Sequence, residues 1–96
     1  MNDIFKKLRE ILKDRKDKSP EASYVSSLYH KGLEHTCSKI NEESEELIHA
    51  LKNENNERIV SEAADLWFHS LVALSMKDIS SDDILEELEK RFGVSG

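Results

Sequence analysis

Residues 33 to 52 contain neither proline nor glycine, and beyond the polar stretch NENN at 53 to 56 a second stretch, from about 57 to 77, is equally free of both. In the second stretch Ile59, Val60, Ala63, Ala64, Trp67, Phe68, Leu71 and Leu74 recur at intervals of three and four, the period of an α-helix with an apolar side. The first carries Cys37, Ile40, Leu47, Ile48 and Leu51 in a similar pattern. A short connection makes consecutive helices antiparallel neighbours, so the chain is expected to be built on a helical hairpin. Its second arm, with Trp67 and Phe68 turned inward, reads as the core helix.

The rest of the chain supplies shorter helices. Ile4, Leu8, Ile11 and Leu12 mark one over residues 3 to 16, with Asp3 placed to cap it. The run KDRKDKSPEAS ends it around Pro20, and Ser23 is then a cap for a short helix that carries Tyr24, Val25 and Leu28 and stops near Gly32. Ser80 or Ser81, followed by Asp82 and Asp83, opens a last helix through Ile84, Leu85 and Leu88 to Phe92 and the Gly93 stop. Three glycines and one proline in the whole chain suit this all-α reading better than a sheet. Residues 1 to 96 are expected to form one domain, an antiparallel bundle of four to five helices. A chain this short buries a small core, so completion of the bundle by homodimerisation is expected.

Charge and cysteine content narrow the function. A net charge of −6 excludes nucleic acid as the main partner, because neutralising phosphates needs clustered Lys and Arg. Cys37 stands alone, so it makes no internal disulfide or multi-cysteine zinc site and is expected to be a buried structural thiol in a reducing compartment. The N-terminal MNDIFKKLREIL is amphipathic, with no signal-peptide core, and no apolar run reaches membrane-spanning length. A cytoplasmic protein without a membrane partner is expected.

The stretch NEESEEL, residues 41 to 47, concentrates four carboxylates in the first arm of the hairpin. Glu43 and Glu46 share a face, with Lys39 one turn earlier, while Glu42 and Glu45 lie about 100° around the helix toward solvent. The second arm carries Glu62 and Asp65 at the same interval. With the hairpin's apex near Glu54, Glu46 comes level with Glu62 and Glu43 with Asp65. Four converging carboxylates are unfavourable unless protonated or neutralised, and a hard divalent cation, Mg²⁺ or Mn²⁺, neutralises oxygen ligands of this kind. The bland alternative is a solvated acidic face. Asp65 speaks against it, because the surrounding AADLWFHSL is apolar and an acid there needs a partner. His69, one turn beyond Asp65, is either a support behind that acid or a hydrogen-bonded core histidine. Glu46 and His49 form Glu-x-x-His, half of a di-iron signature, but the opposite arm offers Glu62-x-x-Asp65 and favours an oxygen-only site. His30 and His35 flank Gly32 and are expected at the surface.

KINEESEELIHA followed by ERIVSEAADLWFHSLVAL resembles the EExxE…ExxD motif of the all-α nucleotide pyrophosphohydrolases, and among them the phosphoribosyl-ATP pyrophosphohydrolase family of histidine biosynthesis. The resemblance extends to ILKDRKDKSPEASYVSSLYHKG before the motif and ELEKRFGVSG at the close. Asn41 stands where the family usually has glycine, Val25 where threonine usually follows Ser-Tyr, and Trp67-Phe68 where a milder pair is usual. The resemblance implies hydrolysis of phosphoribosyl-ATP to phosphoribosyl-AMP and pyrophosphate, with Glu43, Glu46, Glu62 and Asp65 as Mg²⁺ ligands and Glu42 orienting or deprotonating water. Lys39, Arg91, Ser23 and Tyr24 become candidates for phosphate or ribose contacts. The family is dimeric, and the next pathway enzyme, phosphoribosyl-AMP cyclohydrolase, is a candidate partner as a separate chain. Two other readings stand beside this one: a housecleaning nucleoside triphosphate pyrophosphohydrolase of the same superfamily, and an acidic helical interaction module without chemistry.

Overall fold

The computed structural model describes residues 3–93, so the last three residues of the closing motif lie outside it. Five helices follow one another among the described residues: α1 (Ile4–Arg15), α2 (Tyr24–Lys31), α3 (Leu33–Asn53), α4 (Asn56–Met76) and α5 (Ser81–Phe92). The all-α expectation holds, and the predicted boundaries fall within two residues of the observed ones. No described helix is long and apolar enough to cross a membrane.

Local chemistry sets these boundaries. Ser23 Oγ accepts the Ser26 backbone N–H at 3.0 Å and opens α2. Gly32 closes it with φ +94°, a value that side chains resist, and donates its N–H to the Leu28 carbonyl at 3.0 Å. The break between α2 and α3 is therefore one residue wide. Asn55 Oδ1 accepts the Arg58 N–H at 2.9 Å and starts α4. At its far end Ile79 N–H reaches Leu74 O and Asp78 N–H reaches Ser75 O, both at 3.0 Å, with Asp78 left-handed at φ 59°, a Schellman closure. The Asp83 carboxylate accepts the Ser80 backbone N–H at 2.9 Å and opens α5. Asp3 departs from expectation: it occupies the cap position of α1, but its side chain makes no capping bond. Its ψ of 43° is outside the extended conformation that aims a cap oxygen at the first turn.

The α3–α4 hairpin is the most extensive helix pairing, with α1 and α2 laid against it and α5 touching α1. Leu12, Leu28 and Val72 form the buried cluster, lined by Val25, Tyr29, Phe68, Leu71 and Met76. Tyr29 and Ser75 share a hydroxyl hydrogen bond of 2.5 Å that ties α2 to α4. Arg9 and Asp82, 2.7 Å apart, tie α1 to α5. Two expectations fail here. Cys37 is exposed, because no described element covers that face of α3. Trp67 is 62% exposed, stacking on Phe5 at 6.3 Å between centroids, so α4 is a core helix only along the side that carries Val72 and Ala73. Ile84, Leu85, Leu88 and Phe92 of α5 are likewise exposed. The radius of gyration is 14.8 Å, against about 12.5 Å for a compact domain of this length.

Candidate active site

Only Glu54 and Asn55 separate α3 from α4, so the register across the hairpin is set at its apex. Glu54 N–H closes α3 on the Ala50 carbonyl at 2.9 Å, and the Asn55 cap starts the return. Glu43 and Glu62 are then buried, 7% and 6% exposed, while Glu46 and Asp65 remain exposed. Asp65 is thus not enclosed by its apolar sequence neighbours, as the sequence suggested. Ala64 and Trp67 beside it are exposed too, since helical geometry carries these side chains to a face that one chain does not cover.

The acids influence one another across the seam. The facing Glu62 carboxylate holds the Glu46 carboxyl above the ordinary carboxylate range, with desolvation and the like charges of Glu42 and Asp65 acting in the same direction. Burial raises the Glu43 carboxyl, opposed by His69 and assisted by Asp65. Each buried acid has a cation or imidazole from α4 beside it. Arg58 Nη2 donates to Glu62 Oε2, and its Nε donates to Glu54 Oε1 at 3.2 Å. His69 Nδ1 lies 2.6 Å from Glu43 Oε1, but its hydrogen-bond geometry is toward the Asp65 carbonyl at 3.0 Å. A carbonyl only accepts, so Nδ1 carries the proton, and a neutral ring presents Nε2 as acceptor to the Tyr24 hydroxyl at 2.8 Å.

Glu62 Oε1 is buried without a hydrogen-bond partner, and Glu43 Oε1, equally buried, has only the His69 imidazole beside it at 2.6 Å. Buried carboxylates on facing helices, with two further acids beside them, are a donor set suited to a hard cation. In the arrangement described, no three carboxylate, imidazole or thiol groups among the described residues converge as a coordination shell. The reason is local: Glu62 is turned toward Arg58 and Glu43 toward His69. Glu42, Glu45, Glu46, His49, Glu54, Arg58 and Glu62 line an open cavity of about 490 Å³ along the seam.

The other residues singled out in the sequence have definite partners. Lys39 pairs with Glu42 at 3.5 Å, and that carboxylate raises its pKa. Ser23 Oγ is engaged in the α2 cap and Tyr24 in the bond to His69. Arg91 pairs with Glu87 on its own helix at 3.0 Å, rather than with any of the four acids. Sequence reasoning passed over Glu54 and Arg58. Their spacing is the available signal: Arg58 and Glu62 share a face of α4 four residues apart, and Glu54 stands four residues before Arg58 at the apex.

Facing acid pairs on an all-α hairpin define the class of the all-α pyrophosphohydrolases. The chain belongs to the phosphoribosyl-ATP pyrophosphohydrolase family, which it matches over residues 5–92. It is 52% identical to the phosphoribosyl-ATP pyrophosphatase of Hydrogenovibrio crunogenus, an alignment covering 99% of this chain and 88% of that protein. It is 50% identical to those of Ruthia magnifica and Vesicomyosocius okutanii, in each case over 100% of this chain and 91% of the relative.

Proposed function

We propose that this chain hydrolyses the α-β phosphoanhydride of phosphoribosyl-ATP, releasing phosphoribosyl-AMP and pyrophosphate in L-histidine biosynthesis, at a Mg²⁺ site formed by Glu43, Glu46, Glu62 and Asp65. The observation that carries the site is the burial of the Glu43 and Glu62 carboxylates on facing helices, with Glu62 Oε1 left without a hydrogen-bond partner and the further acids Glu46 and Asp65 close enough to interact with them electrostatically. Mn²⁺ fits the same oxygen donors. When bound, the cation neutralises charge on the pyrophosphate group and polarises the attacking water.

The protein's own residues hold that arrangement. Glu43 is kept in place by burial and by His69, and His69 by Tyr24 and the Asp65 carbonyl. Glu42, exposed on the next face and paired with Lys39, is the group that orients or deprotonates water. Phosphate oxygens are met at the open side of the seam, where Lys39 stands. The apolar surface left by Trp67, Ile84, Leu85 and Leu88 supports a homodimer, and the family's biosynthetic role supports a cytoplasmic location.

The test is phosphoribosyl-ATP turnover followed by pyrophosphate release, with Mg²⁺ and with chelator, beside Asp65→Asn and ordinary nucleoside triphosphates. Turnover of phosphoribosyl-ATP alone, dependent on Mg²⁺ and reduced at least about 100-fold in the variant, is expected. Preferential cleavage of ordinary triphosphates would reassign the substrate, and unaltered activity of Asp65→Asn would remove that ligand.

A further inference from the structure

Arg58 is the one permanently charged cation among the residues lining the acidic cavity. Its guanidinium bridges two acids, donating Nη2 to Glu62 Oε2 and Nε to Glu54 Oε1 at 3.2 Å. The two acids differ in their surroundings. Glu62 has 8% of its side chain exposed and Glu54 31%, while Arg58 itself is 51% exposed. A buried carboxylate left without a counter-charge is costly, so a half-exposed cation from one turn earlier stabilises Glu62.

We infer that Arg58 is a displaceable internal counter-ion: it competes with the divalent cation for Glu62 and thereby sets the Mg²⁺ concentration at which the site loads. This rests on the reading of Glu62 as a metal ligand. Arg58 engages Glu62 Oε2 and leaves Oε1 open, so the competition is electrostatic: a guanidinium and a dication on the two oxygens of one carboxylate repel at this range. Loading therefore weakens the Glu62 arm of Arg58. The bond to Glu54 keeps the loosened side chain at the mouth of the cavity.

The experiment is calorimetric titration of Mg²⁺ into the substrate-free protein, comparing wild type with Arg58→Gln and Arg58→Lys, with melting temperatures recorded at each Mg²⁺ concentration. Arg58→Gln should bind Mg²⁺ roughly tenfold more tightly, the effect of about 1.4 kcal/mol, and melt lower than wild type without metal. Arg58→Lys retains the charge and should stay within roughly threefold of wild-type affinity. Glutamine and lysine variants of equal affinity would overturn the charge argument. An Arg58→Gln protein that binds Mg²⁺ no better than wild type would also overturn it and make Arg58 a support for Glu62. Wild type that binds no Mg²⁺ would refute the metal site itself and this inference with it, which distinguishes the two failures.

Discussion

Tyr24→Phe separates two roles for a residue whose neighbours in sequence suggest contact with substrate. The Tyr24 hydroxyl is 2.8 Å from His69 Nε2, and His69 is 5% exposed, so removing the hydroxyl leaves a buried ring nitrogen without a partner. An unsatisfied buried acceptor costs about 1–3 kcal/mol. The ring itself is retained, with its stacking on Phe68 at 6.2 Å and its edge contact with His69 at 5.7 Å, which places the expected loss at the lower end, about 1–1.5 kcal/mol. For a domain of this size that lowers the melting temperature by about 4–10 °C. Thermal and urea melts without substrate or metal measure it. The pH dependence adds a check. Burial raises the Tyr24 hydroxyl above its usual 10.0, with Lys39 opposing. A raised pKa means that this stabilisation is fully present below the unfolded value and lost as pH rises through the folded one. The difference between wild type and Tyr24→Phe should therefore be constant at neutral pH and shrink above about pH 10. A variant that melts like wild type at neutral pH yet shows a raised KM would refute the structural role and return Tyr24 to the substrate.

The seam acids make a second pH prediction. Glu43 is raised by burial, and Glu46 by the facing Glu62 carboxylate, from an ordinary value of 4.5. The metal-free protein then gains stability from these groups below about pH 4.5 and loses it as pH rises through their higher folded values. Saturating Mg²⁺ should offset the loss at neutral pH, and melts that show the same pH profile with and without Mg²⁺ would contradict this. For the apolar surface, Leu88→Glu places a charge where Leu88 is 46% exposed, beside the groove lined by Phe5, Trp67, Ile84 and Leu85. Light scattering should give twice the 11.1 kDa chain mass for wild type, with dimer affinity in the variant weakened at least about 100-fold. A variant that remains as dimeric as wild type would move the interface elsewhere.

Much of the fold was legible because its signals are local. Ser23, Gly32 and Gly93 end or begin helices for reasons contained within a few residues, and the two-residue apex fixes the hairpin register that brings Glu46 to Glu62. What sequence periodicity does not contain is the identity of the covering surface. It marks one side of α4 as apolar, but Val72 packs with Leu12 of α1 and Leu28 of α2 while Trp67 meets solvent and Phe5. Asp65 and Cys37 depart from expectation for the same reason: burial is a property of the neighbouring element, and both are exposed among the described residues. Asp3 shows a different limit, since residue type permits a cap and backbone conformation decides whether it forms. Arg58 was overlooked because a cation beside acids reads as ordinary surface pairing. Its importance depends on Glu62 being buried, which is visible only once the hairpin is assembled.

The asymmetry of the seam connects stability to function. If all four acids were buried, mutual repulsion and desolvation would oppose folding of the metal-free chain. If all were exposed, water would screen them and little would favour a bound cation over bulk solvent. Here Glu43 and Glu62 are buried, each moderated by His69 or Arg58 from α4, and Glu46 and Asp65 stay exposed. The buried pair holds oxygens in place before any ligand arrives. The exposed pair can turn toward that ligand without a core rearrangement. Because Glu62 Oε1 has no hydrogen-bond partner and Glu43 has only the His69 imidazole beside it, the folded chain on its own keeps an electrostatic cost at the seam. At the proposed metal site a dication would relieve that cost and so convert it into affinity.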